Sequence, residues 1–79
     1  MAEITIDARG HRCPVPTLRL RRAMQEAEPG DILILHASDP MARIDVPHFL
    51  SDLPADLASV ETAENGDLSF RIILTGRLR

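Results

Sequence analysis

The single cysteine of this 79-residue chain lies in a segment whose neighbours favour a reactive thiol. Pro14 and Pro16 follow Cys13, and prolines at the head of a helix fix the backbone where no N–H donor is needed. We therefore expect Cys13 at or near the N-cap of a helix, where free amide groups and the helix dipole stabilise negative charge. Arg9 and Arg12 add positive potential, so the segment predicts a stabilised thiolate, the nucleophilic form of cysteine.

A stabilised thiolate at Cys13 suits the transfer of sulfur between molecules. The thiolate would attack a donor persulfide, and the same field would keep the transferred terminal sulfur anionic for delivery. Because the chain has no second cysteine, an internal disulfide cycle is excluded and any sulfur must leave to another molecule. Two alternatives stay open. Cys13 could be an inert, buried cysteine, or it could act with His11 as a Cys–His hydrolase. If it does not act with Cys13, we expect His11 to be a solvated loop residue.

Arginines cluster in the sequence around this cysteine. Residues 9–22 carry five arginines and no acid, whereas the rest of the chain carries all 12 acidic residues and four arginines. We predict a partner-binding surface formed by four of the clustered arginines: Arg9, Arg12, Arg19 and Arg22. The alternative is a solvated helix face on which Arg22 pairs with Glu26. The chain has no lysine, so lysine-based covalent chemistry is excluded.

The apolar patterns predict six elements in the order βαβαββ. The predicted elements are a strand at residues 3–8, a helix at 14–27, a central strand at 32–35, a helix within 40–53, and a hairpin of strands 58–62 and 68–74 around Asn65-Gly66. Right-handed crossovers would place both helices on one face of a four-stranded mixed sheet. We therefore expect an α/β (α+β) two-layer sandwich and a single domain over residues 1–79.

The start of the second helix has two interpretations. In the first, Asp39 is the N-cap and Pro40 occupies the first helical position. In the second, residues 40–44 form an irregular turn, Asp45 caps the helix, and Pro47 lies in the first turn, where its missing N–H does little harm. The pattern does not choose between them.

Composition narrows the class of protein further. The N-terminal segment lacks the basic start and apolar run of a secretory signal, and no stretch reaches the about 20 apolar residues of a membrane span, so we expect a cytoplasmic protein. One cysteine and three scattered histidines do not make a structural zinc set, and we expect neither a metal nor a cofactor apart from sulfur carried on Cys13. The only aromatic residues, Phe49 and Phe70, suit a core better than base stacking, so no direct nucleic-acid binding is expected.

Several sequence blocks together resemble the TusA family of sulfur carriers, also called SirA-like proteins. They are IDARG at residues 6–10, CPVP at 13–16, PGD at 29–31, DP at 39–40 and DVPHF at 45–49. The block around the cysteine is the most specific of them. The chain departs from the family at His11, where an apolar residue is usual, and in segment 51–56, which lacks a glycine.

The resemblance implies a βαβαββ sandwich in which Cys13 is the catalytic, persulfide-carrying residue of a sulfurtransferase. It also implies a cysteine desulfurase or a rhodanese as donor and a relay protein as acceptor, in tRNA thiolation, molybdenum-cofactor supply or sulfur oxidation. We expect the free protein to be a monomer that binds no membrane. The alternative function is a non-enzymatic regulatory or docking module that uses the arginine-rich helix face.

Overall fold

The computed structural model of the chain describes residues 2–12 and 15–78 and contains six elements in the predicted order. They are β1 (Glu3–Ala8), α1 (Val15–Glu26), β2 (Ile32–Ala37), α2 (Ala42–Leu50), β3 (Ala55–Thr62) and β4 (Leu68–Leu74). The strands form one sheet in the order β1-β2-β4-β3, in which β1 and β2 are parallel and β4 is antiparallel to both of its neighbours. This mixed sheet with two helices confirms the predicted fold class.

One face of the sheet supplies the core. Along β4 the burial alternates strictly, with Phe70 and Ile72 fully buried and Arg71 and Ile73 exposed, because successive side chains of a strand point to opposite faces. The buried face packs against the apolar stripes of both helices, and the other face of the sheet is left open. Of the helices in residues 2–12 and 15–78, none is long and apolar enough to cross a bilayer.

The apolar stripe predicted for the first helix is the buried side of α1. Pro16, Leu20 and Met24 are buried, whereas Arg19 and Arg22 are exposed, so the helical period assigns the sides of this helix correctly. The described helix ends one residue before the predicted end. The predicted start at residue 14 lies outside the described residues.

The two helices begin at the same edge of the sheet. Because β2 and β3 are both antiparallel to β4, they are parallel to each other, as β1 and β2 are. Each helix connects two parallel strands and therefore runs back against them, so α1 and α2 are parallel. Their first turns lie where β1 and β2 end, and we call this the helix-start edge. The positive ends of two helix dipoles therefore meet at one edge.

The start of α2 matches neither interpretation of its sequence in full. Met41 is the N-cap and the α-helix follows from Ala42, two residues later than the first interpretation places it. Asp39 accepts a hydrogen bond at 3.0 Å from the backbone N–H of Met41 and therefore lies in the turn that leads into the helix. The alternative in which Asp45 caps the helix is wrong, because Asp45 lies inside the first turn. Pro47 is an interior residue of α2, where the helix does without one backbone hydrogen bond.

Two strands are longer than their sequence patterns predict. β2 continues for two residues past the predicted end, to Ala37, which is fully buried. β3 begins at Ala55, three residues before the predicted start at Ala58. An irregularity in its register between Leu57 and Ser59 shifts the alternation there, and a pattern of period two cannot continue across such a bulge.

Asp31, just before β2, ties the N-terminal strand to the connection that follows α1. Its carboxylate accepts hydrogen bonds from the backbone N–H of Glu28 at 2.9 Å and of Ala2 at 3.0 Å. These bonds favour the charged form and hold the pKa of Asp31 below its usual value. A group with a lowered folded-state pKa stabilises the fold above its unfolded pKa, and this stabilisation is lost as the pH falls through the folded pKa.

We therefore expect Asp31→Asn to lower the thermal midpoint at neutral pH, and the gap from the wild type to close below about pH 4. Asparagine has one carbonyl oxygen, so it can replace only one of the two acceptors. Thermal unfolding followed by circular dichroism between pH 2.5 and 7 measures this. Asp52→Asn, at an exposed turn residue, is the control and should leave the midpoint unchanged. A gap that persists unchanged at the lowest pH would contradict the role of the charged carboxylate.

Candidate functional site

A turn after β1 and the end of β2 meet at the helix-start edge. Gly10 has a φ of +84°, a left-handed conformation that favours glycine, and its backbone N–H donates to the Ser38 hydroxyl oxygen at 2.7 Å. The parallel pairing of Ala8 with Ala37 brings these two chain segments side by side. The turn is thereby fixed to the connection that leads into α2.

An open groove of about 430 Å³ lies between these segments. Its described walls are residues 10–12 on one side and residues 38–40 on the other. Cys13 follows this wall directly in the chain but lies outside the described residues, as does Pro14. The role of Cys13 therefore stays a prediction. The structure describes the segments on either side of it in the chain: residues 10–12, which line the groove, and the first turn of α1, which begins at Val15.

Arg9 is bound to Asp7. Its guanidinium donates to the two carboxylate oxygens of Asp7 at 2.9 and 3.0 Å, and its backbone N–H donates to the same carboxylate at 3.1 Å. These bonds hold the pKa of Asp7 far below its usual range and raise the pKa of Arg9. Arg9 lines a second depression together with His36 and Ser69, whose side chains lie on the open face of the sheet. Its charge is thus offset by Asp7.

Of the other three predicted arginines, one makes a side-chain hydrogen bond within the described residues and two do not. Arg19 donates from Nη1 to the backbone carbonyl of Asp7 at 3.0 Å and so ties α1 to the edge strand β1. Arg12 and Arg22 are exposed, and their side chains make no hydrogen bond or ion pair with any residue in 2–12 or 15–78. The alternative pairing of Arg22 with Glu26 is absent from these residues.

His11 and Asp45 differ from what the sequence indicates. His11 is half-buried in the wall of the groove, so the expectation of a solvated loop residue is wrong in part. Asp45 is half-buried in the first turn of α2, on the flank opposite Arg43, which reaches Thr62 of β3. The Asp45 Oδ2 atom is buried and has no hydrogen-bond partner among the described residues.

Ser38 is a residue of this site that the sequence does not reveal. Its hydroxyl oxygen holds Gly10, 28 positions away, and it also lines the groove. A serine after a strand is common in loops and predicts no particular contact. The only sequence signal is its place directly before Asp39-Pro40, which marks the start of the second helix.

The fold and the groove define a small α/β protein with an open groove at the common starting edge of two parallel helices, and one wall of this groove, residues 10–12, directly precedes Cys13 in the chain. The family model described as Sulfurtransferase TusA matches residues 4–73, and the chain belongs to this family. Membership confirms the family resemblance of the sequence blocks and supports the coarser prediction of a sulfur carrier.

Two individual proteins are similar to the chain. A protein of Archaeoglobus fulgidus that is provisionally named a sulfur carrier protein is 36% identical over 74 residues, which cover 94% of this chain and 96% of that protein. The crystal structure of a SirA-like protein from Desulfitobacterium hafniense superposes with a TM-score of 0.80 at 24% identity, covering 95% of this chain and 99% of that one. At 24% identity, the similarity to the SirA-like protein shows a shared fold.

Proposed function

We propose that this chain is a sulfurtransferase of the carrier type, in which Cys13 accepts sulfane sulfur as a persulfide and passes it to an acceptor protein. The observation that carries the proposal is the position of residues 10–12, the described segment that directly precedes Cys13. Arg12, the residue directly before Cys13, lines a groove at the edge where the positive ends of two parallel helices meet. Family membership supplies independent support.

The electrostatics of the helix-start edge favour an anionic sulfur. Two helix N-termini contribute partial positive charge, and Arg12 is a cation without an intramolecular partner among the described residues. Arg9 contributes less than its charge suggests, because Asp7 offsets it. In this proposal α1 and Arg12 are the main groups that stabilise the Cys13 thiolate.

The transfer is an exchange between thiolates and persulfides. The Cys13 thiolate attacks the terminal sulfur of a donor persulfide, a new S–S bond forms at Cys13, the donor S–S bond breaks, and the donor cysteine leaves as a thiolate. Delivery reverses these roles: an acceptor thiolate attacks the terminal sulfur on Cys13, and the Cys13 thiolate leaves. One sulfur atom moves in each step and no external oxidant or reductant is consumed.

The proposed donor is a cysteine desulfurase or a rhodanese, and the proposed acceptor is another protein of a sulfur relay. The groove is open to solvent, so a cysteine on a partner protein can approach this edge. Such a relay serves tRNA thiolation, molybdenum-cofactor supply or sulfur oxidation in this family, and the acceptor that is captured identifies which of them this chain serves.

Incubation of the protein with a cysteine desulfurase and cysteine, or with a rhodanese and thiosulfate, tests the proposal. We expect intact-mass spectrometry to detect one added sulfur atom, peptide mapping to assign it to the peptide that contains Cys13, and dithiothreitol to remove it. A chain that gains no sulfur from either donor or from inorganic polysulfide would contradict the proposal.

A further inference from the structure

We propose that the open face of the sheet is a docking surface for an amphipathic helix of a partner protein, a helix with an aliphatic stripe and a row of lysines or arginines along one flank. We call this region the open-face surface. It comprises Ile32, Ile34, Ile73, Asp56 and Glu61. The inference goes beyond the proposed function, because it concerns the side of the sheet that faces away from both helices and does not depend on sulfur transfer.

Three isoleucines are neighbours at the centre of the open face. Ile32 of β2 pairs directly with Ile73 of β4, and direct partners in a sheet project from the same face. Ile34 follows Ile32 by two positions and therefore also lies on this face. Ile73 is 37% exposed, and the two isoleucines of β2 are half-buried. Apolar residues scattered singly over a surface are ordinary, but a contiguous aliphatic group on the inner strands of an uncovered sheet is typical of an interaction site.

On one side of this aliphatic centre, the acidic residues of β1 are paired within the chain. The Glu3 carboxylate accepts a hydrogen bond from Nη2 of Arg71 at 3.5 Å, and the Asp7 carboxylate is bound to Arg9. Because β2 lies between β1 and β4, the side chain of Arg71 reaches across β2 to make its ion pair. Little net charge therefore remains on the β1 side of the open face.

On the other side of the centre, the acidic residues of β3 are exposed and unpaired. Asp56 is opposite Ile73 and Glu61 is opposite Ser69, so both acids project from the open face. Neither side chain has a hydrogen-bond or ion-pair partner within residues 2–12 and 15–78. The negative charge of the surface is thus concentrated along β3, and charge complementarity requires cations along the corresponding flank of the occupant.

The dimensions of the surface fit one α-helix that lies along the strands. β1 and β3 are separated by three strand spacings, about 14 Å, and a helix with its side chains is about 10 to 12 Å wide. Asp56 and Glu61 are opposite positions 73 and 69 of β4, about 14 Å apart, so they can pair with basic residues about nine positions apart on a helix. Both helices of the chain cover the other face, and a helix on the open face would complete a three-layer arrangement that is common for sheets with parallel strands.

The charge pattern favours such a helix over the other occupants. A second copy of the chain would bring acidic outer strands against acidic outer strands in either orientation, and like charges across an interface are unfavourable. Nucleic acids and anionic lipid surfaces are themselves negative, so the unpaired carboxylates of Asp56 and Glu61 repel them. A basic amphipathic helix supplies both an aliphatic stripe for the isoleucines and cations for the carboxylates.

Two designed helical peptides are the probes that test this inference. Both are about four turns long and carry a leucine stripe with i, i+3, i+4, i+7 spacing. One has lysines along one flank of the stripe, and the other has glutamates at the same positions. Fluorescence anisotropy at physiological salt measures the dissociation constants, and the backbone amide shifts of the protein in heteronuclear NMR spectra locate the bound peptide.

Two variants change the open-face surface: Ile73→Ser and the double variant Asp56→Lys/Glu61→Lys. Each has a control with an equivalent change away from the open face, in the helices or in the turn after α2: Ile44→Ser and the double variant Glu26→Lys/Asp52→Lys. The control double variant alters the net charge of the chain by the same amount. Thermal midpoints show that each variant is folded.

We expect the lysine peptide to bind the wild type about tenfold more tightly than the glutamate peptide, with the largest amide shifts in β2 and β4. Ile73→Ser should weaken binding about fivefold, and Ile44→Ser should stay within about twofold of the wild type. The double variant Asp56→Lys/Glu61→Lys should prefer the glutamate peptide, whereas the control double variant should keep the wild-type preference.

A less disruptive variant is available if the two lysines on β3 prevent folding. Asp56→Asn/Glu61→Gln removes both charges with little change of shape and should bring the affinities for the two peptides within about twofold of each other. An unchanged preference for the lysine peptide in this variant would contradict the role of the β3 carboxylates.

Other outcomes would overturn the docking surface. They are the absence of saturable binding up to about 1 mM peptide, amide shifts that map to α1 and α2, and a control double variant that reverses the preference as fully as the surface variant. A wild-type dimer in sedimentation equilibrium that Ile73→Ser dissociates would assign the surface to a second copy and would also overturn the inference. None of these measurements involves sulfur loading, so their failure and the failure of the proposed function are separate results.

Discussion

Cys13→Ser is expected to abolish sulfur loading, reducing the added sulfur mass and the transfer to any acceptor to the background of the assay. The reason is chemical: a serine hydroxyl is not ionised at neutral pH and cannot form the persulfide that carries the sulfur. Since the chain has no other cysteine, no second thiol can take over. Loading from a donor enzyme and from polysulfide, both read by intact mass, measures the effect.

His11→Ala is the informative control for that experiment, because it separates a carrier from a Cys–His hydrolase. His11 is half-buried in the wall of the groove, close in sequence to the cysteine. Exchange between a thiolate and a persulfide needs no general base once the thiolate is formed, so this variant should load within about threefold of the wild type. A loss as complete as that of Cys13→Ser, with the fold intact by circular dichroism, would argue for a catalytic histidine instead.

The sequence was sufficient to predict those elements in which a single period runs without interruption. Along β4 strict alternation continues from Leu68 to Leu74, and both bounds of the strand are as predicted. In α1 the apolar stripe identifies the buried side. The first three residues of β3 were missed because the irregularity between Leu57 and Ser59 shifts the alternation. Local periodicity carries no information about such a shift, which arises from pairing with β4.

The residue types of the candidate site could be predicted from the sequence, but most of the contacts among them could not. The arginine-rich surround of Cys13 can be counted from the chain, but the bond of Arg9 to Asp7 depends on the turn after β1. The contact between Gly10 and Ser38 depends on the register of β1 against β2. Contacts of this kind are set by tertiary structure, and two of the four predicted arginines therefore have intramolecular partners that their positions in the sequence do not indicate.

The second large effect is expected at Phe70, the largest fully buried side chain of the described core. It lies on β4 opposite Leu35 and Val60 and therefore holds an inner strand against the helices. Phe70→Ala should lower the free energy of unfolding by about 3 to 5 kcal/mol, through lost apolar burial and a residual cavity. A chain of 79 residues has only about 4 to 12 kcal/mol in total, so much of this variant should be unfolded at 37 °C.

Phe49→Ala is the matched control, because Phe49 is half-buried at the margin of the same core. This substitution should lower the free energy of unfolding by about half as much as Phe70→Ala, or less. Urea unfolding followed by circular dichroism measures both values. Under conditions where Phe70→Ala is largely unfolded, we also expect the alkylation rate of Cys13 to fall to that of a thiol in a short peptide. The proposed activation depends on helix ends that exist only in the folded chain. An unfolded variant that kept the fast alkylation would show that neighbouring arginines alone activate the thiol, and that the helix-start edge is not needed for it.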